Sequence, residues 1–372
     1  MPSVTKDQVM KTLEGVRDPE LSGNVVELGM ITDVTIDGST VDIGLALTIA
    51  ECPMRSQLET DTRRRVQAMP GVDSVNVRTT AMTKRQRAEL MSVARHRARE
   101  NAEPTQVGST TRVVAIASGK GGVGKSSMAV NLAAGLVAED FKVGLLDADI
   151  WGFSVPRMIG ARGKLEANAD SRLIEPVIAH GVRVVSTGLI IDSEETALMW
   201  RGLMLSKALE QFLQQVNWGD LDYLLLDMPP GTGDVQMALT RMLPQAEMVV
   251  ITTPQRAAQR VAVRVADMAR RSHMPVVGVI ENMSGDVFGS GGGSELADEL
   301  GVPLLASIPL DPAVVDGGDT GNPVVLSPHP GPAASALAGA VERLMAVVPP
   351  ADMETCTGRI AKLIADLEDG AA

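Results

Sequence analysis

A chain of 372 residues, 45% of them hydrophobic, exceeds the usual single-domain size and can bury a sizeable core, so about two domains are expected. Its formal net charge of −12 argues against a protein whose main business is coating nucleic acid or an anionic membrane. No run approaches the roughly 18 apolar residues of a membrane span, and the N-terminus, MPSVTKDQVMKTLEGVRDPE, has no apolar signal core, so the chain reads as cytoplasmic. With 2% aromatics and 20 Met, the core must be filled by Val, Leu, Ile, Ala and Met. Cys52 and Cys356 lie far apart and form no CxxC pair, so no disulfide framework or self-contained metal site is expected; a metal would have to be shared.

In chain order, residues 5–16 read as a first helix. NVVELGMITDVTIDGSTVDIGLALTIA (24–50) alternates apolar and polar positions on both sides of Ile36-Asp-Gly-Ser39, which predicts a hairpin. A helix is expected after Cys52-Pro53, with Leu58, Val66 and Met69 on one face and Pro70-Gly71 ending it; a short strand, Val72–Val77, follows. These elements make a small α+β domain over residues 1–83. KRQRAELMSVARHRAR (84–99) carries six Lys/Arg against one Glu, and linker chemistry follows, so 84–111 is expected to be a basic connecting helix and linker, with docking of an acidic partner or nucleic acid as the other reading.

Beyond Arg112 the pattern changes. RVVAIAS, FKVGLLDAD, VRVVSTG, DYLLLDMP, EMVVITT, PVVGVIEN and PLLASIP are short apolar runs separated by helix candidates such as SSMAVNLAAGLVAE, LSKALEQFLQQV, QRAAQRVAVRVADMARR and PAASALAGAVERLMAV. Such runs belong to parallel strands buried on both faces, which predicts a doubly wound, mostly parallel α/β sheet over residues 112–348. A tail helix is expected within 349–372, where Ile360, Leu363, Ile364 and Leu367 recur at helical spacing; its acidic end, DLEDGAA, favours packing on protein over membrane.

Gly119-Lys-Gly-Gly-Val-Gly-Lys-Ser126 satisfies GxxxxGK[ST] between a predicted strand and a predicted helix, the context a phosphate-binding loop requires. Gly119, Gly121, Gly122 and Gly124 let backbone N–H groups, those of Lys120 and Val123 included, turn toward an anion, and the helix N-terminus favours negative charge. Lys125 is expected on the β/γ-phosphates of a nucleotide, Ser126 on Mg²⁺ and Ser127 on the α-phosphate. Two apolar runs end in acids, giving Asp147 and Asp149 from LLDAD, and Asp227 and Asp234 from LLLDMPPGTGD. Asp227 stands where a carboxylate holds Mg²⁺ through its water shell, and Pro229–Gly233 reads as a γ-phosphate-sensing loop. One such Asp alone is a strand-end cap; four beside a phosphate loop point to catalysis.

SGKGGVGKS, LLDADIWGFSVPRMIG, EETALMWRG, WGDLDYLLLDMPPGTGDVQMAL, TTPQ and IENMS, in this order over most of residues 110–330, resemble the signatures of the Mrp/ApbC iron-sulfur cluster carriers, within the MinD/ParA-like deviant Walker A ATPases. DPEL, ELGMI and Cys52-Pro53 after LTIAE resemble the small domain that recurs in iron-sulfur assembly factors. The resemblance implies an ATP-hydrolysing homodimer that transfers clusters to apoprotein recipients or works with assembly factors; the acidic net charge and acidic tail, for their part, lead to the expectation of no specific nucleic acid and no membrane partner. It implies that Lys120 reaches across the dimer to the partner's nucleotide, that Asp149 organises Mg²⁺ and the attacking water, and that Asn282 reads the adenine edge. On its residue type alone Lys120 is a solvated loop lysine.

The sequence departs from that family where the carriers place CxxC: Glu281-Asn-Met-Ser-Gly-Asp-Val-Phe-Gly-Ser-Gly-Gly-Gly293 has no cysteine, so a four-thiolate cluster cannot be built there. Cys52 is the remaining candidate ligand, with its thiolate favoured by an oncoming helix; a small buried hydrophobe is the other reading. Exogenous thiols or Cys356 would complete such a site. Without a cluster, the alternatives are a MinD/ParA-like nucleotide-switched positioning or scaffold ATPase, or a regulator docking on another assembly factor.

Overall fold

The structure is a computed structural model and describes residues 4–350 apart from 19–22, 49–53, 84, 88, 91–92, 94–102, 151, 191–201 and 232–233; the side chains of 202–206 and 234 also lie outside the description. The chain divides into two compact units between Asn101 and Ala102.

In the first unit, helix α1 (Lys6–Leu13) opens on a capping box in which Thr5 accepts from the Gln8 N–H and the Gln8 side chain accepts from the Thr5 N–H, so two end donors are satisfied at once. Strands β1 (Ile31–Asp37) and β2 (Thr40–Leu47) pair antiparallel with Asp37 opposite Thr40, and Gly38 turns the corner at φ 60°. Helix α2 (Arg55–Gln67) crosses over to β3 (Ser74–Ala81), which pairs parallel with β2. The helix ends at Gln67, so Met69 lies beyond it in the turn rather than on its face, and β3 begins at Ser74 rather than Val72 and runs on past Val77 because β2 offers it a ladder as far as the Leu47–Ala81 pair. Val9, Leu13, Ile43, Leu45, Leu58 and Val66 fill the core, and Leu90 joins it, so part of the basic run is tied to this core by an apolar anchor.

The second unit is built on an eight-stranded sheet of order β13-β12-β11-β4-β10-β5-β9-β8. Its strands are β4 (Arg112–Ser118), β5 (Val143–Asp147), β8 (Val177–Ala179), β9 (Val182–Val185), β10 (Tyr223–Asp227), β11 (Glu247–Thr252), β12 (Val276–Ser284) and β13 (Leu304–Pro309); β6 (Glu166–Ala167) and β7 (Ile174–Glu175) form a separate ribbon. All seven predicted apolar runs are strands, paired parallel; β8 adds an antiparallel edge that the sequence pattern did not announce. Along β4, Val113, Ala115 and Ala117 face one hydrophobic layer while Val114 and Ile116 face the other, so a continuous apolar run is what a doubly covered strand requires.

One layer is covered by α5 (Gly202–Gln215), α6 (Asp234–Met242), α7 (Arg256–Arg271) and α8 (Gly292–Leu300). The other is covered by α3 (Lys125–Ala138), α4 (Val155–Ile159) and α10 (Pro332–Val347), with α9 (Pro312–Thr320) packed on α4. With β4 and its neighbours parallel, the C-terminal ends of β4, β10, β5 and β11 open together, as expected for a ligand crevice at the carboxyl edge of such a sheet. The expected tail helix at 358–367 lies outside the described residues. Among those described, no helix is long and apolar enough to cross a membrane.

Candidate functional site

The loop between β4 and α3 turns on two glycines in left-handed backbone, Gly122 at φ 79° and Gly124 at φ 83°, a conformation that side chains with a Cβ adopt only under strain. Gly124 caps α3, and Lys125 and Ser126 begin it, so the first free N–H groups of the helix face the loop. Gly119 is required by packing: a Cβ there would fall 2.5 Å from the carbonyl carbon of Val261 in α7. Val123 is buried beneath the loop.

The strand register brings the acids to this loop. Asp227 ends β10 beside Asp147 at the end of β5, one strand away from β4. The Lys125 ammonium hydrogen-bonds Asp227 Oδ1, and the Ser126 hydroxyl donates to Asp227 Oδ2 at 2.6 Å, so both carboxylate oxygens are engaged by the loop. Burial pushes the Asp227 carboxyl up, against the pull of Lys125 and the Ser126 hydrogen bond. Asp147 is pushed to about 8, first by burial and then by the Asp227 carboxylate.

Asp147 has a distinct structural role. Its carboxylate accepts the N–H groups of Asp149 (3.1 Å), Ser154 (3.2 Å) and Val155 (3.3 Å) and the Ser186 hydroxyl (3.2 Å), and so fixes both ends of the loop that carries Asp149. Asp149 is half-buried and accepts from the Gly152 N–H at 3.1 Å; it forms no hydrogen bond or ion pair with Lys125 or Asp227, but its charge bears on both Asp147 and Asp227. Gly231, in the loop after β10, donates to the Ser118 carbonyl at 3.0 Å and so lays that loop against the start of the phosphate loop.

The remaining expected residues divide. Lys120 is exposed, and among the described residues its ammonium has no partner, while its carbonyl accepts from the Ser118 hydroxyl. Ser127 points its hydroxyl at the Met158 sulfur of α4, 3.8 Å away. Asn282 is brought to the loop from β12, but as a buried group whose Nδ2 donates to the Val123 carbonyl at 3.0 Å. Asp234 begins α6, with its side chain outside the description. Cys52 and Cys356 both lie outside the described residues, and among those described no group of three or more His, Cys, Asp and Glu side chains could hold a metal ion.

Sequence reasoning passed over Glu281. It is buried in the second half of β12, where its carboxylate accepts from the Gly291 N–H (3.2 Å), the Gly293 N–H (2.6 Å) and the Ser307 hydroxyl (2.7 Å). The signal was an acid interrupting an apolar strand, followed ten residues later by three consecutive glycines.

Comparison with known proteins identifies the families of both units. Residues 6–78 match the iron-sulfur cluster assembly protein family. The iron-sulfur cluster carrier protein of Mycobacterium leprae is 44% identical over 344 residues, covering 88% of this chain and 89% of that protein. A nucleotide-binding protein from Archaeoglobus fulgidus, solved in complex with ADP, is 31% identical and superposes with a TM-score of 0.51 over 62% of this chain and 92% of that one. The septum site-determining protein MinD from Pyrococcus horikoshii, solved with Mg-ADP, shares the fold at 23% identity and a TM-score of 0.51, over 63% of this chain and 96% of that one. Residues 109–345, which hold the loop, both acid-bearing strand ends and Asn282, match the family described as NUBPL iron-transfer P-loop NTPase, and the chain belongs to that family.

Proposed function

We propose that the protein is a homodimeric ATPase that binds iron-sulfur clusters as cargo and passes them to apoproteins. The observation that carries the ATPase reading is the convergence of Lys125 and Ser126 on the Asp227 carboxylate beneath a glycine-turned loop at a helix N-terminus. The loop's N–H groups and the Lys125 ammonium bind the phosphates, and Asn282 contributes to the adenine end of the site. The hard oxygens of Ser126 and Asp227, 2.6 Å apart, suit Mg²⁺, and these two residues would hold it. When bound, Mg²⁺ neutralises charge on the transferring phosphoryl group. Asp149, on the loop held by Asp147, orients the attacking water. Lys120, exposed and unpartnered among the described residues, supplies its charge to the nucleotide of the other subunit.

Cluster cargo is supported by family membership, by the N-terminal match to assembly proteins and by the name of the relatives. Cys52 is the proposed ligand. Purification without oxygen, followed by iron and sulfide analysis and a phosphate-release assay, tests both halves; protein that holds no iron and sulfide after reconstitution refutes the carrier reading. The cysteine-free segment 281–293 favours a second reading, a nucleotide-switched scaffold ATPase without a cluster. ATP-dependent co-sedimentation with DNA or liposomes by cluster-free protein would select it.

A further inference from the structure

We infer that Asn282 is a positioning residue for the phosphate loop, acting on the triphosphate end of the site through the backbone of Val123. The inference rests on the nucleotide reading above and adds to it a role that does not depend on the base.

Several independent observations carry it. Asn282 is 5% exposed, and its Nδ2 donates to the Val123 carbonyl at 3.0 Å, between the glycines whose left-handed backbone shapes the loop. The contact is close-packed: a Cβ on Gly124 would fall 2.2 Å from Asn282 Nδ2, so the glycine and the amide fill one space. The next residue, Met283, holds φ 60°, a conformation disfavoured for a residue with a Cβ and retained where the surroundings demand it. The register of β12 against β13 also shifts between Glu281 and Ser284, so the strand is locally distorted where Asn282 turns to the loop. Finally, Glu281 anchors the distorted segment through its three hydrogen bonds to Gly291, Gly293 and Ser307. A Cβ on Gly293 would fall 2.5 Å from the Glu281 Cβ, which accounts for a glycine at that position of the run.

A hydrogen bond from a fixed amide to the Val123 carbonyl sets which way the neighbouring peptide planes face. Those planes carry the N–H groups that a phosphate would meet, so their orientation is decided before a ligand arrives. A residue that only read the adenine edge would leave the phosphate contacts untouched. Asn282 in this arrangement governs them whatever base is attached.

The test uses the full-length protein, with affinities for ATP, GTP and inorganic tripolyphosphate measured by calorimetry in the presence of Mg²⁺. Asn282→Ala removes the donor, and Asn282→Leu removes it while keeping the size and adding no charge. The expected result is a loss of about tenfold, similar for all three ligands, in both variants, with both variants still folded at the assay temperature. A loss confined to ATP, or a change only in the preference for ATP over GTP, overturns the inference in favour of base reading. Wild-type protein that holds ATP but neither of the other two overturns it as well. Wild-type protein that binds none of the three overturns the nucleotide reading, and this inference with it. If Asn282→Ala fails to fold, the similarly sized Asn282→Leu carries the measurement.

Discussion

Lys125 and Asp227 form a buried ion pair between the start of α3 and the end of β10, with Lys125 7% exposed and Asp227 0%. Each charge is tolerable there because the other is present. Removing one strands its partner in a poorly solvated site, a loss of about 3–5 kcal/mol, whereas replacing both with apolar groups is often close to neutral. Lys125→Ala and Asp227→Ala are therefore expected to abolish ATP hydrolysis and to lower stability by about that amount. Lys125→Met combined with Asp227→Leu should recover most of the stability and stay inactive. Urea unfolding beside phosphate release separates the two effects, and undiminished hydrolysis in either single variant would refute the assignment of the site.

Lys120 contrasts with Lys125 only five residues away, being exposed and lacking a partner among the described residues. Its removal should leave nucleotide affinity nearly unchanged while hydrolysis falls. If it acts on the other subunit's nucleotide, Lys120→Ala and Asp227→Ala proteins, each inactive alone, complement one another when mixed. A mixed dimer has one competent site, the one whose own carboxylate is intact and whose partner supplies Lys120. Equal mixing of freely exchanging subunits should therefore restore roughly a quarter of wild-type turnover. No recovery in a mixture shown to exchange subunits would place Lys120 in its own site or outside the reaction.

The parallel sheet and the phosphate loop were legible in the sequence because both rest on local patterns: unbroken Val/Leu/Ile runs such as LLLD, and glycines at fixed spacing before a Lys-Ser pair. The placement of Asp227 beside the phosphate loop could be anticipated from the strand ends. Three features could not. Asp147 looked equivalent to Asp149 in LLDAD, yet one gathers four donors and the other sits half-buried on the loop those donors hold. Asn282 bonds to Val123, 159 residues earlier in the chain, and no local pattern encodes that pairing. Glu281 accepts from Ser307 on the neighbouring strand and from the start of α8, so its role depends on strand order as well as composition.

Two loop glycines should respond differently to the same substitution. Gly122 and Gly124 both hold positive φ, so alanine carries roughly 1–2 kcal/mol of backbone strain at either position. At Gly122 nothing lies within 4 Å of the added Cβ, and the strain is the whole effect. At Gly124 the methyl also meets Asn282 Nδ2 at 2.2 Å, so the amide must leave the Val123 carbonyl or the loop must move. Gly124→Ala should therefore lose far more nucleotide affinity than Gly122→Ala, as read by calorimetric titration with ATP. Equal losses would mean that the Asn282 contact has no bearing on the loop.

The chain contains two cysteines, and the 281–293 segment contains neither. There the backbone closes on itself instead: Gly285 and Gly289 exchange hydrogen bonds of 2.8 and 2.7 Å, and Val287 and Phe288 are exposed at the tip. Cluster binding, if Cys52 provides it, then draws one thiolate from each subunit of a dimer and must be completed by small-molecule thiols or by Cys356. Such a site should be labile. Anaerobic reconstitution with iron, sulfide and glutathione is expected to give visible absorbance that a chelator removes quickly, that Cys52→Ser abolishes and that Cys356→Ser leaves in place. ATP hydrolysis should survive Cys52→Ser, because the phosphate loop and its acids belong to the other compact unit. Absorbance that persists in Cys52→Ser would remove Cys52 as the ligand, and absorbance lost only in Cys356→Ser would transfer the role to the C-terminal segment.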